Sequence, residues 1–125
     1  MRKIALIASI LAIALAGTAC KNMTSQAPTS SMTEPGKYYA VLLSNGSVYF
    51  GQLEGLGTQW PVLKDVYYVQ SNVNQDTKAV SNSLVKRGKE WHGPDRMIIN
   101  EKSIVFVEPV GKDSRVSLLI EESKK

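Results

Sequence analysis

The sequence predicts a small all-β barrel of five to six strands, placed after an N-terminal signal helix and a disordered tether. Two apolar, β-rich runs flank an Asn-Gly pair, and further short strand-like runs follow with polar turns between them. Helical periodicity is nearly absent from this part of the chain. Short strands at this density, over about 85 residues, are typical of small sheets that close on themselves.

The opening hairpin is predicted in residues 38–54, where Asn45 and Gly46 separate the two apolar runs. Asn-Gly favours a two-residue type I′ turn, because both central residues of that turn need positive φ. Such a turn sets one register, and a shift of one residue would send the apolar set to the opposite face. The side chains expected to share the buried face are Val41, Leu43, Val48 and Phe50.

The remaining strands are predicted from alternation and from flanking turn residues. Residues 71–83 are polar and rich in turn formers, which predicts a long flexible excursion. Residues 116–120 could form a closing strand or one helical turn, and the alternation of Val116, Leu118 and Ile120 favours the strand. The predicted strands after the hairpin are 62–70, 97–99, 104–107 and 116–120, and residues 84–86 resume an extended path between two loops.

The N-terminus carries the pattern of an export signal. Arg2 and Lys3 precede the apolar run 4–16, which is too short to span a membrane comfortably, and small residues follow it. Gly17-Thr18-Ala19-Cys20 resembles the lipobox of bacterial lipoproteins, although Leu is more usual than glycine at the first of these positions. The resemblance implies cleavage before Cys20 and lipidation of this residue, which is the only cysteine in the chain.

A lipidated Cys20 would anchor the protein to a membrane of the bacterial cell envelope. The residue after it is Lys21 rather than the Asp that favours the inner membrane, so the outer membrane is favoured in a diderm cell. An ordinary signal peptide or an uncleaved anchor are the alternatives. The sequence thus divides into a signal peptide (1–19), a disordered tether rich in Ser, Thr and Pro (20–36), and a β-barrel domain (37–122).

The domain carries segments that resemble known small barrels. Residues 45–53 look like the opening hairpin of SH3-like and Sm-like barrels, and residues 99–108 look like their closing strands. Residues 40–51, 65–70 and 92–100 together resemble a group of membrane-tethered bacterial proteins of unknown function. The resemblance implies an SH3-like fold and no particular activity, since a fold does not determine a function.

Composition argues against several kinds of function. The net charge is +4, but once Arg2 and Lys3 of the signal segment are set aside, 13 basic side chains face 11 acidic ones. We therefore expect no nucleic-acid partner. His92 is the only histidine, and one histidine with scattered carboxylates falls short of a metal site or a catalytic triad. We expect no cofactor, no metal and no catalytic residue.

Aromatic side chains are the candidates for binding. Small barrels often cup peptides with such residues, while most aromatics in a small domain pack in the core. Trp91 and His92 could contact a ligand, or could belong to a structured turn. The sequence predicts a non-catalytic module that binds an envelope protein or peptide; the alternatives are a structural subunit and, less favoured, a hydrolase. The candidate binding residues are Trp91, His92, Tyr67, Tyr68 and Trp60.

Overall fold

The structure is a computed structural model that describes residues 31–125. The predicted signal peptide, most of the predicted tether and Cys20 lie outside these residues. The domain is mostly β, with one six-stranded antiparallel sheet and one short helix, so the β class expected from the sequence is confirmed. The strands are β1 (Tyr38–Leu43), β2 (Val48–Glu54), β3 (Val62–Val73), β4 (Val80–Lys86), β5 (Arg96–Ile98) and β6 (Ile104–Pro109), followed by helix α1 (Arg115–Ser123).

The sheet curls so that its two margins approach each other. The strand order is β4-β3-β2-β1-β6, and β5 pairs with β3 on the margin opposite β6. Only residues 99–103, which include one 3-10 turn (Glu101–Ser103), join β5 to β6. Four strand spacings in a flat sheet cover about 19 Å, close to the greatest reach of so short a connection. The Ser44 N–H also donates to the Ser103 carbonyl at 2.8 Å, which ties the β1–β2 turn to this connection.

The first hairpin lies where the sequence predicts it, but its register is one residue away from the prediction. The Gly46 N–H donates to the Leu43 carbonyl, and the Leu43 N–H donates to the Ser47 carbonyl, both at 2.9 Å. The loop therefore has three residues, and Gly46 alone carries positive φ (83°), as in a type I turn closed by a left-handed glycine. The two-residue type I′ turn is wrong.

This shift reverses the face that β2 presents to the core. Val41 is buried and Leu43 packs on the core as expected, whereas Val48 is exposed and Phe50 is only half-buried on the outer face. The prediction that Val48 and Phe50 are core residues is wrong. The buried cluster inside the curled sheet consists of Tyr39, Val41, Leu53, Leu63, Val66 and Ile99, with Tyr49 packed against it.

Strand β3 bends at a bulge opposite Gly51. Phe50 pairs with Tyr67 and Gln52 with Lys64, so Asp65 and Val66 together face one residue of β2. Asp65 adopts φ of 47°, a left-handed conformation that is rare for residues other than glycine. The bulge turns β3 so that its first part pairs with β5 and its second part with β4.

Residues 71–83 form the end of a β-hairpin, so the predicted flexible excursion is wrong. Pairing between β3 and β4 continues to Val73 and Val80. The Asn74 side chain organises the turn, since its Oδ1 accepts from the N–H groups of Asp76 and Thr77 at 2.9 and 3.0 Å. All of residues 69–83 are exposed, which explains why their composition resembles that of a loop.

Residues 116–120 belong to helix α1, and the predicted closing strand is wrong. Ser114 caps the helix by accepting from the Ser117 N–H at 3.1 Å. Ile120 is buried, and the Ser123 hydroxyl is 3.2 Å from the hydroxyl of buried Tyr67. Because Val66 points into the core, Tyr67 points to the outer face of the sheet, where α1 covers it.

The residues just before β1 contact the domain. Thr33 is buried, and the Glu34 N–H donates to the Tyr39 hydroxyl at 2.8 Å. Tyr39 itself is a core residue. The end of the segment assigned to the tether is therefore fixed against the first strand.

Candidate binding site

The candidate site is the loop 87–95, which we call the Trp91 loop. It connects β4 to β5 along one margin of the sheet. Pairing with β3 stops at Lys86, opposite Tyr67, and resumes at Arg96, opposite Lys64. The loop therefore projects from the sheet at the level of the β3 bulge.

Glu90 holds the Trp91 loop in shape. Its Oε1 lies 2.8 Å from Arg87 Nε, and its Oε2 accepts from the Gly88 N–H at 2.7 Å. The Glu90 carbonyl also accepts from the Gly93 N–H at 2.8 Å. The hydrogen bond from Gly88, followed by that from Arg87, lowers the pKa of Glu90 to about 2. The carboxylate is thus ionised and engaged inside the loop at neutral pH.

Trp91 stands at the tip of this loop with its whole side chain in water, at a relative exposure of 107%. His92 follows it and is also exposed. A tryptophan that is fully exposed on a braced loop offers a large apolar surface without covering anything in the domain itself. The geometry permits contact with a partner and gives these side chains no evident part in the packing of the fold.

A shallow cleft of about 470 Å³ lies between the Trp91 loop and the β3 bulge. Basic side chains line the cleft, and two of them form ion pairs: Lys86 with Asp65, and Arg87 with Glu90. Arg96 lies 3.4 Å from Asp95 through its Nε. The lining residues are Asp65, Val66, Lys86, Arg87, Gly88, Gly93, Pro94, Asp95, Arg96 and Met97.

Asp65 lines the cleft and connects β3 to both β1 and β4. Lys86 Nζ lies 2.7 Å from its Oδ1, and the Tyr38 hydroxyl donates to its Oδ2. Partial burial alone would raise the pKa of Asp65, but the hydrogen bonds from Lys86 and Tyr38 outweigh it and lower the pKa. Burial, and then the bond to Asp65, raise the pKa of Tyr38, whose ring also lies 5.0 Å from Lys124 Nζ.

The other predicted binding residues lie in different surroundings. Tyr67 is buried beneath α1, so its ring cannot contact a partner in this conformation. Tyr68 is half-buried and meets Tyr49 edge to face, with ring centroids 6.5 Å apart. Trp60 is 54% exposed in the loop between β2 and β3. The structure brings only Trp91 and His92 together.

The sequence analysis did not identify two residues of the candidate site, Glu90 and Asp65. Glu90 lies three residues after Arg87, a spacing that many turns and loops share. Asp65 had no signal as a member of the site, because its position depends on a bulge that the register of two strands creates. Its tolerance of left-handed backbone, shared with Asn, is the one feature that a sequence could offer.

Residues 31–125 contain no group of three or more His, Cys, Asp and Glu side chains arranged to hold a metal ion. Across the same stretch, no helix has both the length and the apolar character needed to cross a membrane. No protein-family model matches the chain, and no curated protein matches it.

Proposed function

We propose that this protein is a lipid-anchored module of the bacterial cell envelope that binds a protein or peptide through its Trp91 loop and catalyses no reaction. The observation that carries the binding role is the full exposure of Trp91 on a loop that Glu90 braces. Tryptophan is among the residues that most often dominate binding energy at interfaces.

The energetic advantage of such an anchor follows from its surroundings. A tryptophan buries about 150–250 Å² on binding, and apolar area contributes roughly 25 cal/mol per Å². The upper bound is therefore about 4–6 kcal/mol, before the costs of association. Because the Arg87–Glu90 pair and two backbone hydrogen bonds already order the loop, little further ordering is needed when a partner arrives.

A free strand edge lies next to the Trp91 loop. The Ile99 N–H donates to the Pro61 carbonyl at 2.9 Å, so the backbone groups of Ile99 and, two residues earlier, Met97 face β3. Those of Arg96 and Ile98 then point away from β3, and the Ile98 side chain is 66% exposed. An extended peptide could pair with this edge while its side chains contact Trp91, which is a common mode of peptide recognition.

The anchor is inferred from the sequence alone. The basic start, the short apolar run and the Gly17-Thr18-Ala19-Cys20 motif support lipidation of Cys20, with the outer membrane favoured in a diderm cell. We also assign the domain to the small SH3-like barrels, as its sequence resemblance implies. The strand order, the curl of the sheet and the 3-10 turn before β6 are compatible with that assignment.

Mass spectrometry of the protein purified from membranes tests the anchor. We expect a mature chain that begins at Cys20 and carries the lipid mass on that residue. The Cys20→Ala variant should accumulate unprocessed at this site. A soluble product that begins elsewhere, with an unmodified thiol, would show that the lipoprotein assignment is wrong.

Paired tryptophan variants test the binding role. Trp91→Ala should leave the melting temperature within about 2–4 °C of the parent, since exposed substitutions rarely change stability by more than about 0.5 kcal/mol. It should nevertheless abolish recovery of the partner when the protein is isolated from membranes in mild detergent. Trp60→Ala, an exposed tryptophan on another loop, is the matched control and should retain recovery. Equal recovery with both variants would contradict the proposal.

A further inference from the structure

The hairpin formed by the end of β3 and the start of β4 extends beyond the rest of the sheet. We call residues 69–83 the arm. Strand β2 reaches only Tyr68 of β3, so the arm consists of two strands whose residues are all exposed. Such an arm gains little from the core of its own domain, and two-stranded sheets are marginal in water. Its edges are therefore candidates for pairing with another chain.

The hydrogen bonds show which backbone groups of β4 are available. The Arg87 N–H donates to the Val66 carbonyl at 2.8 Å, and the Asn74 N–H donates to the Ala79 carbonyl at 2.9 Å. Both pairs fit the register of the β3–β4 ladder, in which bonded residues alternate with unbonded ones. The odd-numbered residues of β4 therefore bond to β3. In residues 31–125, the N–H and C=O groups of Val80, Asn82 and Leu84 point outward from the free edge.

This edge is complementary to itself. Two copies of β4 that pair antiparallel about Asn82 set Val80 of one copy opposite Leu84 of the other. All three pairs in that register use outward-pointing groups, so each exchanges two backbone hydrogen bonds. A shift of one residue would place outward groups opposite inward ones and lose these bonds.

The side chains agree with this register. Val80, Asn82 and Leu84 pair with Val73, Ser71 and Val69, and the six side chains therefore share one face of the β3–β4 hairpin. Across the two-fold axis Val80 meets Leu84, which extends an apolar strip between the copies. On each copy this strip borders a cleft of about 520 Å³ that Val116 and Leu119 of α1 also line.

The charges permit the contact. Residues 79–85 carry no charged side chain, and the edge has no proline or inward-pointing charge to prevent pairing. Lys86, at the end of the strand, is held by Asp65 at 2.7 Å. Lys78 of the second copy would thus approach an ion pair rather than a free cation.

The other edge of the arm is less accessible. Gly46, Ser47 and Val48, at the turn and the start of β2, line a second cleft together with Val69 and Ser71. A strand approaching β3 would meet this turn. Beside the β4 edge, Arg115, Val116 and Leu119 of α1 border the 520 Å³ cleft on one face of the strand. Within residues 31–125, no strand pairs with the outer edge of β4.

We propose that two copies of this protein dimerise by antiparallel pairing of β4 with β4, with a two-fold axis at Asn82, to form one continuous sheet. The occupant of the edge is thus a second copy of the chain. The proposed partner contact at the Trp91 loop lies farther along the same side of the sheet, and it does not depend on this dimer.

Cysteine cross-linking in cells that express the full-length chain tests the register. At the axis, opposed Cα atoms in a bonded pair are about 5.5 Å apart, which a disulfide can span. Asn82→Cys should therefore give a dimer on a non-reducing gel. Val80→Cys should not, because the two copies of residue 80 are about 14 Å apart along the strands. The unsubstituted chain shows any contribution from Cys20.

Two outcomes of this experiment would overturn the proposal. Absence of a disulfide dimer with Asn82→Cys would mean that residue 82 does not lie on a two-fold axis. A stronger dimer with Val80→Cys, or with Ser71→Cys on the β3 edge, would place the contact elsewhere.

Sedimentation of the full-length protein in detergent tests the role of the backbone. Asn82→Pro removes an N–H that points away from β3, so the β3–β4 ladder keeps its bonds. It deletes the two central bonds of the dimer, each of which changes an equilibrium constant roughly two- to tenfold. We expect the dimer dissociation constant to rise at least fivefold. The control Asn82→Ala loses the same side-chain contact with Ser71, and its dimer dissociation constant should stay near the parent value. Equal weakening of the dimer in both variants, or a parent protein that is monomeric, would refute the inference.

Discussion

The close approach of Gly51 to β3 gives the sharpest prediction about the fold. A Cβ at this position would lie 2.7 Å from the Lys64 carbonyl oxygen and 2.8 Å from Leu63 Cγ. The first of these is a backbone atom beside the Asp65 bulge, and Leu63 is completely buried. Neither can move without disturbing the sheet, so Gly51→Ala should introduce strain of about 1–3 kcal/mol, as overpacked cores do.

The matched control is Gly111→Ala. A Cβ on Gly111 would meet no atom within 4 Å, and its φ lies outside the left-handed region. Both substitutions restrict the unfolded chain equally, which by itself stabilises a protein by about 0.4–1 kcal/mol. Thermal unfolding followed by circular dichroism should therefore show Gly51→Ala melting roughly 4–24 °C below Gly111→Ala. Equal melting temperatures would refute the bulge opposite Gly51 and the register of β2 on β3.

Three further predictions concern α1, the cleft and the Trp91 loop. Ile120→Ala should lower the free energy of unfolding by about 2–5 kcal/mol in chemical denaturation, because the side chain is buried. The control Leu118→Ala, at an exposed position, should change it by less than about 0.5 kcal/mol. The pKa of Asp65 is lowered by folding, so its contribution to the free energy of unfolding is present above the unfolded pKa near 3.8 and is lost as pH falls through the folded pKa. In Asp65→Asn, the free energy of unfolding should therefore fall less steeply as the pH is lowered into the acid range. Glu90, with its pKa of about 2 against a usual 4.5, should hold the loop until pH falls well below 4.5, and Glu90→Gln should increase backbone amide exchange at Gly88 already at neutral pH.

The sequence was sufficient to locate the first hairpin but not to set its register. Asn45-Gly46 fits a two-residue loop, and the observed loop adds Ser44 to them. That one residue decides whether Val48 or Tyr49 faces the core, because side chains on a strand alternate. The pattern of apolar residues could not decide between the two registers, since both faces of β2 carry large apolar side chains.

The C-terminal segment shows a similar ambiguity between two periods. Val116, Leu118 and Ile120 alternate as in a strand, while Val116, Leu119 and Ile120 have helical spacing. The cap at Ser114 and the cover that α1 gives to Tyr67 accompany the helix in the structure. The second of these is a tertiary contact that no local pattern contains.

Part of the candidate site could be predicted from the sequence, and part could not. The sequence predicts Trp91 and His92 as candidate binding residues on a loop that contains glycines and a proline, and the structure places both side chains in water. The hydrogen bonds of Glu90 within the loop depend on loop geometry, and the contacts of Asp65 with Tyr38 and Lys86 depend on the β3 bulge. Both arise only when distant strands have paired.

Site-specific photo-cross-linking in living cells tests the central claim that the Trp91 loop is a binding surface. A photoreactive phenylalanine analogue would replace His92, which is exposed beside Trp91, so that the tryptophan is kept. Leu118, which is 61% exposed on α1, would carry the analogue as the control. We predict a discrete protein or peptide adduct from position 92 and none from position 118. No adduct at position 92, or the same adducts at both positions, would contradict the account.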